Sequence, residues 1–254
     1  MACHQTHVAA GLLAGTVVAA VTGGTAAEMV ILGMTSAGAA LLPDLDTPDS
    51  AVSHVAGRLL HFPLTILRKL ARRHRGVTHT LIAGLVFALG VYFLGYVAPI
   101  AANHIPAYWP VRIVLPAVLG ALAARSLLTF GAGETIKPLL SRGHRFSLSV
   151  LVAIAIGYLG AILGPTPHFA LAMAMAAGAG YLSHLVADIA TGGVPLIWPA
   201  SPSLSERITL GHIKTNGGID HVLGWICLVG ALVLLIYASG NGSQALQLAH
   251  HLQS

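Results

Sequence analysis

Charged residues are scarce in this chain. They make up 8% of its 254 residues, and the mean hydropathy is +0.80. A soluble globular domain carries about 25% charged residues, so this composition excludes a protein that covers its surface with hydrated side chains. Cysteine is almost absent too. Cys3 and Cys227 lie far apart and in no spacing pattern, which excludes a disulfide framework and a zinc knuckle.

The chain consists mainly of apolar segments separated by polar ones. A helix needs about 20 apolar residues to cross a hydrocarbon core of about 30 Å. We therefore expect an all-α fold, a polytopic transmembrane helical bundle of about seven spans that forms a single domain over residues 1–254. The first two spans are short and end in polar residues, as expected of tilted or partly inserted helices. The predicted spans are 5–22, 27–42, 77–99, 111–131, 148–164, 167–190 and 221–239, with a basic cytoplasmic loop at 43–76 and a C-terminal tail at 240–254.

The basic residues lie on one side of this predicted bundle. Six of the 13 lysines and arginines fall between spans two and three, and five more fall in the loops after spans four and six. Cytoplasmic loops carry an excess of Lys and Arg, so we expect these loops and the N-terminus to face the cytoplasm from the inner (plasma) membrane. The expected partners are membrane lipids. No aromatic residues interleave with the basic run, which argues against nucleic-acid binding.

Two clusters of ionisable residues flank the loop between spans two and three. Asp44 and Asp46 follow Pro43, and alternate residues of an extended segment project to one side, so both carboxylates can approach one cation. Asp-x-Asp-x-Pro is also ordinary turn chemistry. His74 and His79 open span three and are either ligands or histidines of a basic juxtamembrane segment.

Two further clusters lie in spans six and one. His184 and Asp188 are four residues apart and therefore share a helix face, where they bind one ion or stabilise helix packing through a hydrogen bond. His4 and His7 are one turn apart at the start of span one, and His7, which lies deeper in the apolar helix, is the better candidate.

Under the predicted topology all four clusters lie at the cytoplasmic ends of their helices. Ionisable groups at membrane depth are costly and usually functional, so we expect them to share one cavity. Imidazole and carboxylate ligands suit Zn, Mn or Fe rather than Ca or a thiolate site. The sequence thus predicts one or two divalent metal ions held by His7, Asp44, Asp46, His79, His184 and Asp188.

These motifs resemble those of a known family. In order they are Thr6 and His7 with Gly11 and Gly15, LPDLD at 42–46, HRGVTHT at 74–80, Ser183 and His184 to Asp188, Thr191-Gly192-Gly193 and Trp198-Pro199. The set resembles the YdjM-like family of inner-membrane proteins over residues 4–202. That family is described as membrane-bound, metal-dependent hydrolases, with some members under LexA control. The arginine-rich loop before His74 matches no family feature.

The resemblance and the predicted site together suggest hydrolysis of an ester or phosphoester. In this hypothesis His74 is a ligand or general acid/base, and Arg75 stabilises charge that develops on a phosphoryl or acyl oxygen. The membrane setting suggests a lipid or lipid-linked substrate. Two alternatives use the same residues: a divalent-metal transporter, and a non-catalytic membrane scaffold whose His–Asp pairs hold helices together.

Overall fold

The architecture is all-helical in the residues that the structure, a computed structural model, describes. These are 4–47, 65, 75–97, 113–128, 142–162, 167–198, 200, 207–211, 213–214 and 217–253. One α-helix corresponds to each predicted span. The helices are α1 His4–Val21, α2 Ala26–Ala39, α3 Leu81–Tyr92, α4 Leu115–Leu127, α5 Arg142–Ile162, α6 Pro167–Thr191 and α7 Gly218–Gln253, with one π-helical turn, Phe93–Val97, continuing α3.

The expected helical membrane bundle is confirmed. Within the described residues, four helical segments are long and apolar enough to cross a membrane: Ala26–Asp46, Gly143–Ile162, His168–Thr191 and Gly218–Gly240. Leu81–Gly95 and Leu115–Leu127 are shorter apolar helices. Large apolar side chains point outwards from the bundle, among them Val86 on α3 and Ile154 on α5, each 62% exposed. Such a surface suits contact with lipid rather than water.

Glycines set the spacing of the central helices. A Cβ atom at Gly38 of α2 would overlap the backbone of Leu119 in α4, and one at Gly180 of α6 would overlap the backbone of Ser36 in α2. Gly15 of α1 is pressed against α2 in the same way. Small residues allow helix backbones to approach closely within membranes. The consequence is that α1 and α6 pack tightly on α2.

Two short 3-10 turns lie at one end of the bundle. Pro43–Asp46 follows α2, and Val77–His79 precedes α3. Helix α3 therefore begins at Leu81 rather than 77, because the Thr80 hydroxyl accepts a hydrogen bond from the Ala83 amide and caps the helix. The two turns carry two of the predicted histidine and aspartate clusters.

Two helices extend beyond the predicted spans. Helix α5 begins at Arg142 rather than 148, and α7 continues to Gln253 through the segment expected as a tail. Hydropathy marks the lipid-immersed part of a helix, whereas its backbone hydrogen bonds continue into polar sequence. Most of the predicted basic loop, including His74, lies outside the described residues.

Candidate metal centre

All six predicted metal ligands lie in one buried cluster at one end of the bundle. The first turn of α1, the two 3-10 turns and the last turns of α6 contribute to it. No member is more than 7% exposed. The cluster comprises His7, Asp44, Asp46, His79, His184 and Asp188.

Four side-chain atoms, two imidazole nitrogens and two carboxylate oxygens, lie at the centre of this cluster. The Nε2 atoms of His79 and His184 are 3.3 Å apart. Oδ2 of Asp188 lies 3.6 Å from each of them, and Oδ1 of Asp44 lies 3.7 Å from each. Ligands that surround one ion tetrahedrally at about 2.0–2.2 Å are about 3.3–3.6 Å from one another. Five of the six separations among the four atoms are therefore close to those that one tetrahedral ion requires.

The ring of His184 is oriented by a backbone acceptor. Its Nδ1 lies 2.7 Å from the carbonyl oxygen of Ala40, at the end of α2. A carbonyl only accepts, so Nδ1–H donates, and the neutral ring carries its lone pair on Nε2. This lone pair points to the centre of the cluster.

The ring of His79 is oriented by a side-chain acceptor. The Thr78 hydroxyl donates to Oδ2 of Asp46 at 2.7 Å, so its oxygen can accept from the Nδ1–H of His79, 3.1 Å away. The same Nδ1 lies 3.5 Å from Oδ2 of Asp46. Histidine ligands of metals commonly donate their second ring N–H to a carboxylate or carbonyl. His79 and His184 both have this arrangement.

The two carboxylates at the centre lack partners for the atoms that face it. Oδ1 of Asp44 and Oδ2 of Asp188 have no hydrogen-bond partner in the described part of the chain, although both atoms are buried. A buried, unpaired carboxylate oxygen is strongly destabilising. Two imidazole lone pairs beside two such oxygens form an environment that suits a cation.

Arg75 reaches the same site from the turn before α3. Its Nη2 donates to Oδ1 of Asp188 at 2.6 Å and to the Thr191 hydroxyl at 3.3 Å. Its Nη1 donates to the Gly193 carbonyl at 3.3 Å. Gly192 leaves room for the guanidinium, because a Cβ there would lie 2.5 Å from Nη1. Arg75 thus ties the end of α6 to the turn before α3, a contact that the sequence alone did not suggest.

His7 lies against the ring of His184. Their ring centroids are 3.9 Å apart and the planes are inclined by 18°. Nε2 of His7 is 3.7 Å from Oδ1 of Asp188, and neither of its nitrogens has a hydrogen-bond partner in the described part of the chain. His7 therefore adjoins the four central atoms but faces the carboxylate oxygen that Arg75 binds.

Sequence reasoning did not assign roles to Thr78 and Tyr181. The Tyr181 hydroxyl donates to the backbone carbonyl of Thr78, which fixes the turn carrying His79 to α6. The Tyr181 ring lies beside Phe87, with centroids 6.0 Å apart. One available signal was spacing, since Tyr181 precedes His184 by three residues and so lies on nearly the same helix face.

Similarity to known proteins is found in the N-terminal part of the chain. Residues 1–124 match the model of a family described as YdjM inner membrane protein. No curated protein and no solved structure shows significant similarity to the chain. The site residues of α1 and of the two 3-10 turns lie within the matched part, whereas those of α6 lie beyond it. Residues 1–124 are thus similar to the YdjM inner membrane protein family, which agrees with the resemblance of the motifs.

Proposed function

We propose that this membrane protein is a metal-dependent hydrolase that cleaves an ester or phosphoester bond at the cytoplasmic face of the inner membrane. The observation that carries the proposal is a set of five separations of 3.3–3.7 Å among four buried ligand atoms, close to those of tetrahedral coordination. Two of them are imidazole nitrogens and two are carboxylate oxygens. That donor set suits Zn, Mn or Fe.

In this proposal the ligands are His79, His184, Asp44 and Asp188. Asp46 orients His79 instead of binding the ion, since its Oδ2 accepts from Thr78 and lies beside Nδ1 of His79. This role differs from the sequence prediction, which placed Asp46 among the ligands. The role of Arg75 also differs from the sequence prediction. Its hydrogen bond holds Asp188 in place, so we assign it a positioning role rather than direct stabilisation of charge on the substrate.

The chemistry follows from the donor set. A divalent ion held by imidazole and carboxylate activates water for attack near neutral pH and polarises a carbonyl or phosphoryl oxygen. Catalytic zinc sites usually have three protein ligands and a water, so an ion held by all four of these side chains would need to accept water as a fifth ligand. Asp44, 7% exposed, is the most exposed of the four ligands, and the other three are fully buried. We therefore place the approach of water and substrate on the Asp44 side.

The membrane setting supports a lipid or lipid-linked substrate. The site lies where α2, α3 and α6 end or begin, and α3 and α6 carry outward-facing apolar side chains such as Leu85 and Leu182. A substrate with acyl chains can reach such a site from the bilayer. The cytoplasmic orientation rests on the distribution of lysines and arginines.

Metal transport is the weaker alternative. A transit path needs polar ligands along its length. Within the described residues, the groups of three side chains able to hold a metal all belong to this one cluster. Glu28 lies near the other end of α2, but it caps that helix through Thr25.

The test compares two histidines of α6. His184 is fully buried at the centre, whereas His168 is exposed near the other end of the same helix. Full-length protein is purified in detergent, and its metal content and hydrolysis of aryl phosphates, aryl esters and phospholipids are measured. We expect His184→Ala to lose both metal and activity and His168→Ala to keep both. A wild-type protein that binds metal but hydrolyses none of these substrates would refute the proposed hydrolase. A wild-type protein that binds no metal would favour the non-catalytic scaffold.

A further inference from the structure

The Asp188 carboxylate is shared between two cation positions. Its Oδ2 faces Nε2 of His79 and of His184 at 3.6 Å. Its Oδ1 accepts from Nη2 of Arg75 at 2.6 Å. A carboxylate that bridges two cations in this way is typical of centres with two metal ions, but here one of the two positions is taken by a guanidinium.

We infer, on the basis of the proposed function, that the centre binds a single divalent ion and that Arg75 takes the place of a second one. A second ion would need His7 and Oδ1 of Asp188 as ligands, because Nε2 of His7 is 3.7 Å from that oxygen. Metal–oxygen bonds of about 2.0–2.2 Å would put the ion within about 5 Å of the guanidinium. Two positive charges would then compete for the same oxygen.

The charges of the side chains in the site also favour a single divalent ion. The carboxylates of Asp44, Asp46 and Asp188 contribute three negative charges, and Arg75, which stays protonated in proteins, contributes one positive charge. The orientation of His79 and His184 suits neutral rings that present Nε2 to the ion. One divalent ion therefore makes this set neutral. A second would leave two positive charges among side chains that are at most 7% exposed, and Asp220, a buried carboxylate that also acts on His7, compensates at most one of them. An uncompensated charge is unfavourable in a buried site.

His7 is the one side chain that favours a second ion, because neither of its buried nitrogens has a hydrogen-bond partner in the described part of the chain. It also belongs to a second group able to hold a metal, with Asp44 and His184. That group shares both of its other members with the four central atoms, so it does not supply independent ligands. The stoichiometry therefore depends on whether Arg75 excludes an ion from the side of His7.

The experiment counts Mn²⁺ ions and tests whether they interact. Full-length protein in detergent is stripped of metal, loaded with excess Mn²⁺ and desalted, and bound manganese is counted by mass spectrometry and observed by electron paramagnetic resonance. His184→Ala is the reference for Mn²⁺ bound elsewhere. We expect one His184-dependent ion per chain with the six-line spectrum of an isolated Mn²⁺.

Two His184-dependent ions with an exchange-coupled spectrum would overturn the single-ion inference and leave the proposed metal site intact. No His184-dependent ion would overturn both. As a second measurement, Arg75→Met frees Oδ1 of Asp188 and is expected to admit a second, coupled Mn²⁺, whereas Arg75→Lys keeps a cation there and is expected to stay at one. An Arg75→Met chain that folds and still binds only one ion at excess Mn²⁺ would contradict the role of the guanidinium.

Discussion

The imidazoles of His79 and His184 face each other through their Nε2 atoms at 3.3 Å. Each ring has its Nδ1 beside an acceptor: the carbonyl of Ala40 for His184, and the Thr78 hydroxyl with Asp46 for His79. Two lone pairs at this separation repel each other unless a proton or a metal cation lies between them. The turn before α3 and helix α6, which carry the two rings, therefore meet in a way that metal binding would stabilise.

Metal should accordingly raise the stability of the folded protein. A ligand that binds only the folded state at 100 times its Kd stabilises it by about 2.7 kcal/mol. We expect a chelator to lower the thermal midpoint of the wild type and of His168→Ala, and excess Zn²⁺ or Mn²⁺ to restore it. The midpoint of His184→Ala should not respond to either addition. Equal responses in all three chains would show that the stabilising ion is bound elsewhere.

The Thr78 hydroxyl should tune metal affinity without contacting the ion. Thr78→Val keeps the shape of the side chain but removes the link between Asp46 and His79. Loss of such an outer partner typically costs about 10–100-fold in metal affinity, and we expect a loss of that size in a competition titration. The backbone bond from Tyr181 is retained in this variant.

Thr78→Ser is the matched control, because it restores the hydroxyl. It should bind metal nearly as tightly as the wild type, and the metal-free forms of both variants should melt within a few degrees of each other. If Thr78→Ser were as weak as Thr78→Val, packing of the threonine methyl group rather than hydrogen bonding would be responsible.

Arg75 should matter more to the metal-free protein than to the metal-loaded one. Its guanidinium is the charged partner of the buried Asp188. Removing one partner of a buried ion pair typically costs about 3–5 kcal/mol. We expect Arg75→Met to lower the unfolding midpoint strongly in chelator and less in metal, because a bound ion compensates the same carboxylate. Arg75→Lys should be less damaging in chelator. Equal losses with and without metal would contradict the shared-carboxylate arrangement.

The close contact of α2 with α6 should be needed for the site. A methyl group at Gly180 would overlap the Ser36 backbone, whereas one at Gly90 of α3 would meet nothing within 4 Å. Overpacking typically costs about 1–3 kcal/mol, and here it would move α2, which leads into the turn with Asp44, away from α6, which carries His184. We expect Gly180→Ala to lose stability and metal affinity together, and Gly90→Ala to bind metal as the wild type does. Unchanged metal binding in Gly180→Ala would show that the site tolerates a shift of α6.

The sequence predicted the helices and the gathering of the site residues well. Hydropathy locates lipid-facing segments, and each of the seven has a helix. The charge distribution placed His7, Asp44, His79 and His184 at one end of the bundle, and the structure brings them together there. These features depend on local composition and on the order of the spans, both of which can be read from one chain.

The division of roles within the cluster could not be predicted. Asp44 and Asp46 are equivalent in sequence, but only the three-dimensional arrangement places one toward both Nε2 atoms and the other behind Nδ1 of His79. The same is true of Arg75, whose partner is 113 residues away in sequence. Such contacts depend on how tightly the glycines let α1, α2 and α6 approach.

The most direct test of the proposed centre is X-ray absorption at the metal edge of purified protein loaded with one equivalent of Zn²⁺ or Mn²⁺. The ion should show two imidazole nitrogens and at least two oxygens, with Zn²⁺ bonds of about 2.0–2.2 Å. The imidazole scattering should be reduced in His79→Ala and unchanged in His168→Ala. An ion without imidazole ligands, or a wild-type chain that retains no ion after desalting, would contradict the proposed centre.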